Sequence, residues 1–585
     1  MIKKAVFGIA LFTAAIAISF VGGLKADKDF EHEGDFRFFP GNLVVSRSVY
    51  HNDPDNVNVG MILPPNCAST KGGCAAATGT TNNGTYPQVW NNNLYDGSFG
   101  ITSKIYLDQM TPFGWYLDTL EVPSNPNRSH LVTSFPSKSE LALNLSTDGE
   151  YLTFMGYVAS IDLLDVSNSN TPGAVDPTNP VGEAFYRAVA QVDEKGKFTF
   201  TETNAYSGNN GRAAILSNRH GANFICTAGN AGNGGNPQPV GIILGAGAQI
   251  MTPATQPEKD QTPGVTVPVA SFNIDQLAGN GQTDKIGKDD NFRGMTIFHN
   301  VLYYTKGSGS NGVNTVYFVD TTGNACPTVT ANSVNTAGGV GVPSPGATLP
   351  SSGVSYDPAT LETVGLDNNM CILRGFNTVL AKTSTSSFPF GLWFADAHTL
   401  YVADEGDGYA GGLDLDTHAA AQTTAGLQKW VLNSSTQTWQ LAYILQNGLE
   451  LGVPYTVPGY PTGLNPATAV PASKNPTSPA PDGLPWSPAT DGIRNITGHV
   501  DWDGKVTIWG ITSTVSGNGD QGADPNRLVA ITDKLTNTDA AVAAAEKFHT
   551  LRTAQFGEVL RGVSLTPGTN DHDREDQQRD DHPAQ

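Results

Sequence analysis

The sequence predicts an all-β protein, a six-bladed β-propeller, and three observations carry this prediction. First, 65 Gly and 37 Pro in 585 residues favour many short strands joined by turns over long helices. Second, sets of four strand-like segments recur along the chain. Third, segment 561–566 near the end has no partner after it, while three segments near the start lack a first strand. A closed ring of sheets accounts for all three observations.

The first complete set of strands occupies residues 140–201. Segments 140–145 and 151–156 flank a turn that contains Asp148 and Gly149, and a second pair, 187–192 and 197–201, flanks a turn that ends in Lys195 and Gly196. Short Gly-containing turns between alternating apolar and polar residues are typical of β-hairpins. The set therefore predicts a four-stranded antiparallel sheet, with strands A to D running from the centre of the ring outwards.

Four further sets repeat this pattern with weaker sequence identity. Their predicted A to D strands are residues 212–216, 224–227, 241–249 and 267–274; then 293–298, 302–305, 315–319 and 370–376; then 391–394, 400–403, 427–432 and 439–445; and finally 494–500, 506–509, 528–532 and 549–553. Residues 540–547, before the last of these strands, predict a short helical insert.

Segment 561–566 completes the ring. It matches the A strands, whereas segments 43–47, 103–107 and 115–120 match B, C and D strands. Joining the two ends of the chain in one sheet gives six blades and removes the exposed sheet edges that promote aggregation. Seven blades remain an alternative if residues 321–366 contain another sheet.

Two runs in the fourth repeated set, residues 388–396 and 399–406, resemble blades of NHL, SMP-30/gluconolactonase and TolB-like propellers. The resemblance is specific for this one blade and generic for the other five. It implies an architecture, and a fold does not by itself imply a function.

The two ends of the chain differ in composition from the rest. Lys3 and Lys4 precede an apolar run, 5–20, and a small-residue segment that ends at Ala26, which is typical of a secretory signal peptide. We therefore predict a signal peptide over 1–26, one propeller domain over 27–569, and a secreted or periplasmic protein without a transmembrane anchor. The charged residues 570–585 contain no apolar cluster to bury, and predict a disordered tail.

The five cysteines suit an oxidising compartment. Cys67 and Cys74 are close enough in sequence to pair locally, and a Cys326–Cys371 disulfide would hold a long insertion in place. Cys226 lies in an apolar strand, where a buried and inert thiol is expected.

The net charge is −21 and the isoelectric point is about 4.8. Binding to nucleic acid requires a cationic surface, so nucleic acid is excluded as a partner. We expect a monomer whose partner is a small anionic or carbonyl-bearing ligand, or another protein.

One face of the predicted propeller carries most of the long loops. The B-to-C loops are long and polar, and the Pro-rich D-to-A connection 446–492 can fold over the same face as a lid. Long loops on a rigid scaffold are frequent sites of binding and catalysis. This loop-rich face is therefore the predicted functional face.

Four arginines open predicted A strands and would converge at the central channel on this face: Arg212, Arg293, Arg494 and Arg561. Guanidinium groups require anionic partners, supplied either by the protein or by a ligand. Asp404, Glu405, Asp407, Asp520 and Asp524 are the internal candidates. The arginines either tie blades together or form a ligand pocket, and the sequence leaves both interpretations open.

The acidic run Asp404, Glu405 and Asp407, with Asp414 and Asp416 farther along the loop, supplies the hard oxygen ligands that Ca²⁺ prefers, although its spacing is not that of an EF-hand. Three functions are therefore considered. The first is a binding module, the second a metal-dependent hydrolase of the lactonase or phytase type, and the third a quinoprotein-like dehydrogenase. Whether the protein is an enzyme stays open at this level.

Overall fold

A computed structural model describes the parts of the chain from which the fold is built: residues 36–50, 100–127, 129–175, 181–219, 221–230, 247–254, 270–274, 291–307, 312–320, 325, 340–343, 368–381, 387–409, 412–460, 462–463, 484–485, 487–516 and 522–569. Within these residues no helix is long and apolar enough to span a membrane.

The described strands form six four-stranded antiparallel blades around a central channel, which confirms the predicted six-bladed β-propeller. Blade 1 contains β26 (Glu558–Leu565), β1 (Leu43–Val49), β2 (Thr102–Met110) and β3 (Tyr116–Glu121). Blade 2 contains β5 (Asn144–Leu145), β6 (Leu152–Tyr157), β7 (Arg187–Val192) and β8 (Phe198–Thr203). Blade 3 contains β9 (Gly211–Ser217), β10 (Phe224–Gly229), β11 (Ala248–Met251) and β12 (Ala270–Ile274).

Blade 4 contains β13 (Met295–Phe298), β14 (Val301–Lys306), β15 (Thr315–Val319) and β17 (Asn368–Leu373). Blade 5 contains β18 (Pro389–Asp396), β19 (Thr399–Asp404), β20 (Gly426–Asn433) and β21 (Thr438–Leu445). Blade 6 contains β22 (Ala489–Val500), β23 (Lys505–Val515), β24 (Arg527–Lys534) and β25 (His549–Thr553). Two short strands, β4 (Thr133–Ser134) and β16 (Val340–Gly341), add to blades 1 and 4, and two short helices are α1 (Leu415–Ala420) and α2 (Ala540–Ala543).

The ring closes as the sequence predicts. Strand β26 pairs antiparallel with β1 in a register that places Leu565 opposite Leu43 and Glu558 opposite Val49. The partly buried ion pair between Arg47 Nη1 and Glu558 Oε1, at 2.7 Å, joins the same two strands. Segment 561–566 is therefore the inner strand of blade 1.

The inner strand of blade 2 is shorter than predicted. Residues 140–145 were expected to form it, but only Asn144 and Leu145 pair with β6. Leu141 has a φ of 61°, which is incompatible with an extended strand, and its carbonyl accepts a hydrogen bond from Ser46 Oγ instead. The chain around Leu141 therefore contacts blade 1 and does not pair with its own sheet.

Other boundaries also differ from the prediction. The D strand of blade 4 ends at Leu373, because the chain turns at Gly375, where φ is 106°. The predicted helix 540–547 is confined to its first four residues. Blades 3 and 4 are joined at their outer edges by parallel pairing of β12 and β17, which the sequence did not indicate. Residues 321–366 are the segment in which the sequence allows a seventh blade. The strand described within it, β16, pairs with β17 of blade 4.

Glycines allow the inner strands to contact one another halfway along the channel. A Cβ at Gly294 would lie 2.2 Å from Phe390 O, one at Gly391 would lie 2.6 Å from Arg494 O, and one at Gly562 would lie 2.4 Å from Leu141 O. These distances leave no room for the Cβ of any other residue. The backbones of neighbouring blades are therefore in direct contact at these glycines. We call this level of the channel the waist.

Candidate functional site

The inner strands place all four predicted arginines on the loop-rich side of the waist. Arg212, Arg494 and Arg561 lie within β9, β22 and β26, and Arg293 lies two residues before β13. Each is between 3% and 6% exposed. Because a buried charge is costly without partners, the contacts of each arginine decide its role.

Two of the arginines tie neighbouring blades together. Arg561 of blade 1 donates to the backbone carbonyls of Phe135 and Ser137, which lead into blade 2, and to Ser48 Oγ at 3.1 Å. Arg212 of blade 3 donates to the carbonyl of Phe292, which leads into blade 4, at 2.7 Å. Their hydrogen bonds to backbone carbonyls make both side chains connectors between blades.

The other two arginines gather around one carboxylate. Glu405 directly follows β19 and is 3% exposed. Its Oε2 lies 3.2 Å from Arg494 Nε and 3.9 Å from Lys138 Nζ, and Arg293 also acts on it electrostatically. We call Glu405, Arg293, Arg494 and Lys138 the cationic cluster.

Opposing charges set the pKa values in the cationic cluster. Burial by itself would raise the pKa of Glu405, but Lys138, Arg293 and Arg494 hold that pKa below its usual value. Burial lowers the pKa of Lys138, and the two arginines lower it further, against the opposing effect of Glu405 and Asp491. Among the described residues, three cations therefore act on the ionised carboxylate of Glu405.

Arg212 belongs to the same electrostatic environment. Burial and the charge of Arg293 both lower its pKa, which places the two guanidinium groups within each other's field. Its Nε atom makes no hydrogen bond to any residue that the structure describes. Arg212 thus adds positive charge to the channel, although its Nη1 atom donates to the Phe292 carbonyl that leads into blade 4.

Lys138 is the accessible member of the cationic cluster and was not predicted from the sequence. It lies in the connection between β4 and β5, and its side chain is 32% exposed, against 4% for Glu405 and Arg494. No periodic pattern marks a residue in such a connection, so its position becomes visible only when the ring is closed.

Glu140 is a second buried carboxylate that the sequence did not single out. It accepts hydrogen bonds from Tyr157 OH at 2.5 Å, Thr133 Oγ1 at 2.8 Å and the Ser134 backbone N–H at 3.0 Å. These hydrogen bonds fix the connection on which Lys138 lies to β4 and β6. The charge of Glu140 also acts on Arg212.

The three residues of the predicted calcium site point to different partners. Asp404 accepts hydrogen bonds from Ser387 Oγ at 2.7 Å and from the Phe388 backbone at 2.8 Å. Glu405 faces the cationic cluster, and Asp407 lies 2.6 Å from His418 Nε2. In the part of the chain that the structure describes, no group of three or more His, Cys, Asp or Glu is arranged to hold a metal ion. Calcium binding stays a prediction.

Two buried carboxylates near the cluster hold the loop that carries Glu405. Asp491 accepts a hydrogen bond from the Gly408 backbone at 3.0 Å, and burial together with the charge of Asp407 raises its pKa to about 7. Burial also raises the pKa of Asp404 to about 6. A Cβ at Gly406, where φ is 81°, would lie 2.5 Å from Asp491 Oδ2, so glycine permits this contact.

The described part of the predicted lid crosses the loop-rich face. Tyr455 donates to the Pro525 carbonyl at 2.8 Å and lies under the Arg527 guanidinium, 3.6 Å from its ring centre. Tyr460 donates to Asp524 Oδ1 at 2.5 Å, which gives this predicted partner of the arginines a different role. Asp520 lies outside the described residues.

The cysteine predictions are tested only at Cys226. This residue is a free thiol, fully buried in β10, and burial raises its pKa, as expected for an inert group. The pairs Cys67–Cys74 and Cys326–Cys371 each include residues outside the described part of the chain, so both stay predictions.

The fold and the site together define the class of protein as a six-bladed β-propeller with a cationic channel end. No protein-family model matches the chain, and no curated protein is significantly similar to it in sequence.

Proposed function

We propose that the protein is an exported binding protein that holds a small anionic molecule at the loop-rich end of its central channel. The observation that carries this proposal is the convergence of Lys138, Arg293 and Arg494 on Glu405 at this end of the channel. Arg212 adds a fourth cation, on which Glu405 and Glu140 also act. An anion that entered here would lower the electrostatic cost of burying four cations.

The geometry supports a ligand carrying a carboxylate or phosphate group. A guanidinium group can form bidentate hydrogen bonds with either anion. Lys138 adds a compact positive charge at the more exposed side of the cluster. Lys138 is the member of the cluster that a ligand would meet first, because its side chain is 32% exposed. The lid residues Tyr455 and Tyr460 lie on the same face, where they can cover a bound molecule.

Export is part of the proposal and is supported by the sequence alone. Lys3, Lys4 and the apolar run 5–20 form the charged and apolar parts of a signal peptide. N-terminal sequencing of the protein recovered outside the cytoplasm should begin near residue 27. Recovery of the protein only in the cytoplasm with residues 1–26 intact would overturn this part.

The binding proposal is tested by calorimetric titration of the purified mature protein with citrate and, separately, with inorganic phosphate. We expect at least one of them to bind, with an affinity that falls as salt is raised, because the recognition is electrostatic. Lys138→Met should weaken binding by about tenfold or more, equivalent to about 1.4 kcal/mol.

Lys505→Met is the matched control, because Lys505 is exposed at the start of β23, on the opposite face. It should leave affinity unchanged. Failure of both anions to bind, or equal affinities in the wild-type protein and Lys138→Met, would refute the proposed function.

A further inference from the structure

The opposite end of the central channel contains a cavity of about 160 Å³. All six inner strands contribute to its lining, beyond the waist from the cationic cluster. We call it the apolar chamber, and one lining residue from each inner strand is Leu145, Ile215, Phe298, Trp393, Thr497 and Leu565.

Flat aromatic surfaces form one side of the apolar chamber. The rings of Phe298 and Phe394 stack with centroids 4.5 Å apart and an angle of 8° between their planes. The indole of Trp393 lies over Gly498, where a Cβ would come within 2.7 Å of the ring. Glycine at this position provides the space that the indole occupies, so the wall is a defined surface.

Several apolar side chains remain half-buried in the apolar chamber although they lie near the axis of the molecule. Ile297, Phe298 and Trp393 all keep partial exposure, and the two-residue turn at His299 and Asn300 is too short to cover them. Each Å² of apolar surface left in water costs about 25 cal/mol, so an apolar occupant would be stabilised by covering it.

The polar groups of the apolar chamber limit the kind of occupant. Asp396 is the only charged residue among its described lining residues, so an anion is disfavoured. Thr296 and Thr497 come from the blades on either side of Trp393, and within the described chain neither hydroxyl makes a side-chain hydrogen bond. They offer hydrogen bonds to a ligand whose ring lies against Trp393. Further polar residues of the lining are Asn144, Ser146, Thr147 and Ser564. Pockets that combine apolar walls with polar groups that orient the ligand are typical small-molecule sites.

We propose that the apolar chamber binds a small uncharged ring compound carrying one hydroxyl group. Its ring packs against Phe298 and Trp393, and its hydroxyl meets Thr296 or Thr497. The volume of about 160 Å³ admits a compound of about one ring with a short substituent. This site is separate from the proposed anion site in position and in ligand chemistry.

The test uses 4-methylphenol as the probe and calorimetry as the measurement, with the mature full-length protein. Thr497→Phe should weaken binding by about tenfold or more, because the added ring fills the cavity. The double variant Thr296→Val and Thr497→Val keeps the shape and removes both hydroxyls, and should weaken binding by about threefold to tenfold. 4-Methylbenzoate should bind this chamber about tenfold more weakly than 4-methylphenol.

Two controls separate this site from its surroundings and from the anion site. Trp502→Ala removes a side chain that is 95% exposed on the same face and should leave binding unchanged. Lys138→Met should also leave 4-methylphenol binding unchanged while it weakens citrate or phosphate. Each proposal can therefore fail without the other.

A measurement on the unmodified protein covers the case in which Thr497→Phe does not fold. With isoleucine methyl groups labelled, the probe should show nuclear Overhauser contacts to Ile215, Ile297 and Ile496, which line the apolar chamber. Contacts to other isoleucines only, or undiminished binding by folded Thr497→Phe, would overturn the proposal.

Discussion

The two ends of the central channel are built by the same inner strands and carry opposite chemistry. On the loop-rich side of the waist, cations surround Glu405, and on the other side aromatic and aliphatic side chains surround a cavity. The change occurs within four or five residues: in blade 4 the chain passes from Arg293 through Gly294 to Ile297 and Phe298. A short strand can therefore present a charged site and an apolar site at its two ends.

The comparison also shows how each end is held. At the cationic end, hydrogen bonds and ion pairs between blades fix the side chains, so removal of one partner leaves buried charge. At the apolar end, ring stacking and van der Waals contacts fix the walls, and partial exposure lowers the cost of a change. Substitutions at the two ends should consequently differ in size, and the predictions below run from the largest expected effect to the smallest.

The largest effect is expected for Glu405→Gln. This change removes the carboxylate that Lys138, Arg293 and Arg494 share, and leaves buried positive charge. We expect the free energy of unfolding to fall by about 4 kcal/mol, measured by urea denaturation. Asp407→Asn, in an exposed pair on the same loop, should cost less than about 1 kcal/mol. Equal losses in the free energy of unfolding for the two variants would show that the cationic cluster does not stabilise the loop-rich end of the channel.

The waist is tested by Gly294→Ala. The new Cβ would lie 2.2 Å from Phe390 O, and this backbone atom cannot move without shifting the inner strand of blade 5. We expect a loss of about 3 kcal/mol, read from the denaturation midpoint. Gly182→Ala, where a Cβ meets nothing within 4 Å, should be nearly neutral. A neutral Gly294→Ala would mean that the two ends are not separated by close backbone contact.

The pH dependence of stability should reveal the buried carboxylates behind the cationic end. The pKa of Asp491 is raised to about 7 and that of Asp404 to about 6, whereas both lie near 3.8 in an unfolded chain. Between these values the folded protein holds protons that the unfolded chain has released. Stability is therefore greatest at the acidic side of this window and is lost as pH rises from about 4 to about 7.

Asp491→Asn isolates one of these groups. Its stability difference between pH 5 and pH 7.5 should be smaller than that of the wild-type protein by roughly 3 kcal/mol. Glu546, whose pKa is raised to about 8, contributes to the slope of both proteins, so the comparison removes it. Parallel pH profiles would show that Asp491 is ionised throughout.

The smallest effect is expected at the apolar end, for Trp393→Ala. Because its indole is half-buried beside a cavity, truncation should cost about 2 kcal/mol, below the usual range for a fully buried tryptophan. Trp502→Ala, at 95% exposure, should stay within about 0.5 kcal/mol of the wild-type protein. A cost for Trp393→Ala as large as that for Glu405→Gln would erase the proposed difference between the ends.

Most strands could be predicted from the sequence because their signals are local. Alternating residues located β7, which is followed by a Gly-containing turn, and β25, which follows a short helix, at their observed bounds. The unpaired segment 561–566 indicated the closure. The inner strand of blade 2 was mispredicted because a contact with another blade turns Leu141 out of the extended conformation. Parallel pairing of β12 with β17 is equally non-local and left no trace in either segment.

The candidate sites were predictable in part. The arginines that open inner strands indicated a charged channel end, but Lys138 and Glu140 lie in a connection whose course depends on the whole ring. The apolar chamber was missed for a different reason. Ile297, Trp393 and Ile496 read as ordinary core residues, and only the assembled ring shows that they surround a cavity. Sequence patterns indicate which side chains a strand places on one face. They do not indicate whether those side chains pack against others or line a cavity.

Closure of blade 1 has a consequence for how the molecule forms. The Gly41 backbone N–H donates to Thr569 Oγ1 at 2.9 Å across 528 positions of the chain. Strand β1 therefore has no inner neighbour until β26 is available, so blade 1 is completed by the last strand that the structure describes. The same proximity should let a short linker join residues 569 and 37, with new termini placed in the exposed turn 501–504. Such a circular permutant would make blade 1 continuous in sequence and would shift the late step of folding to blade 6.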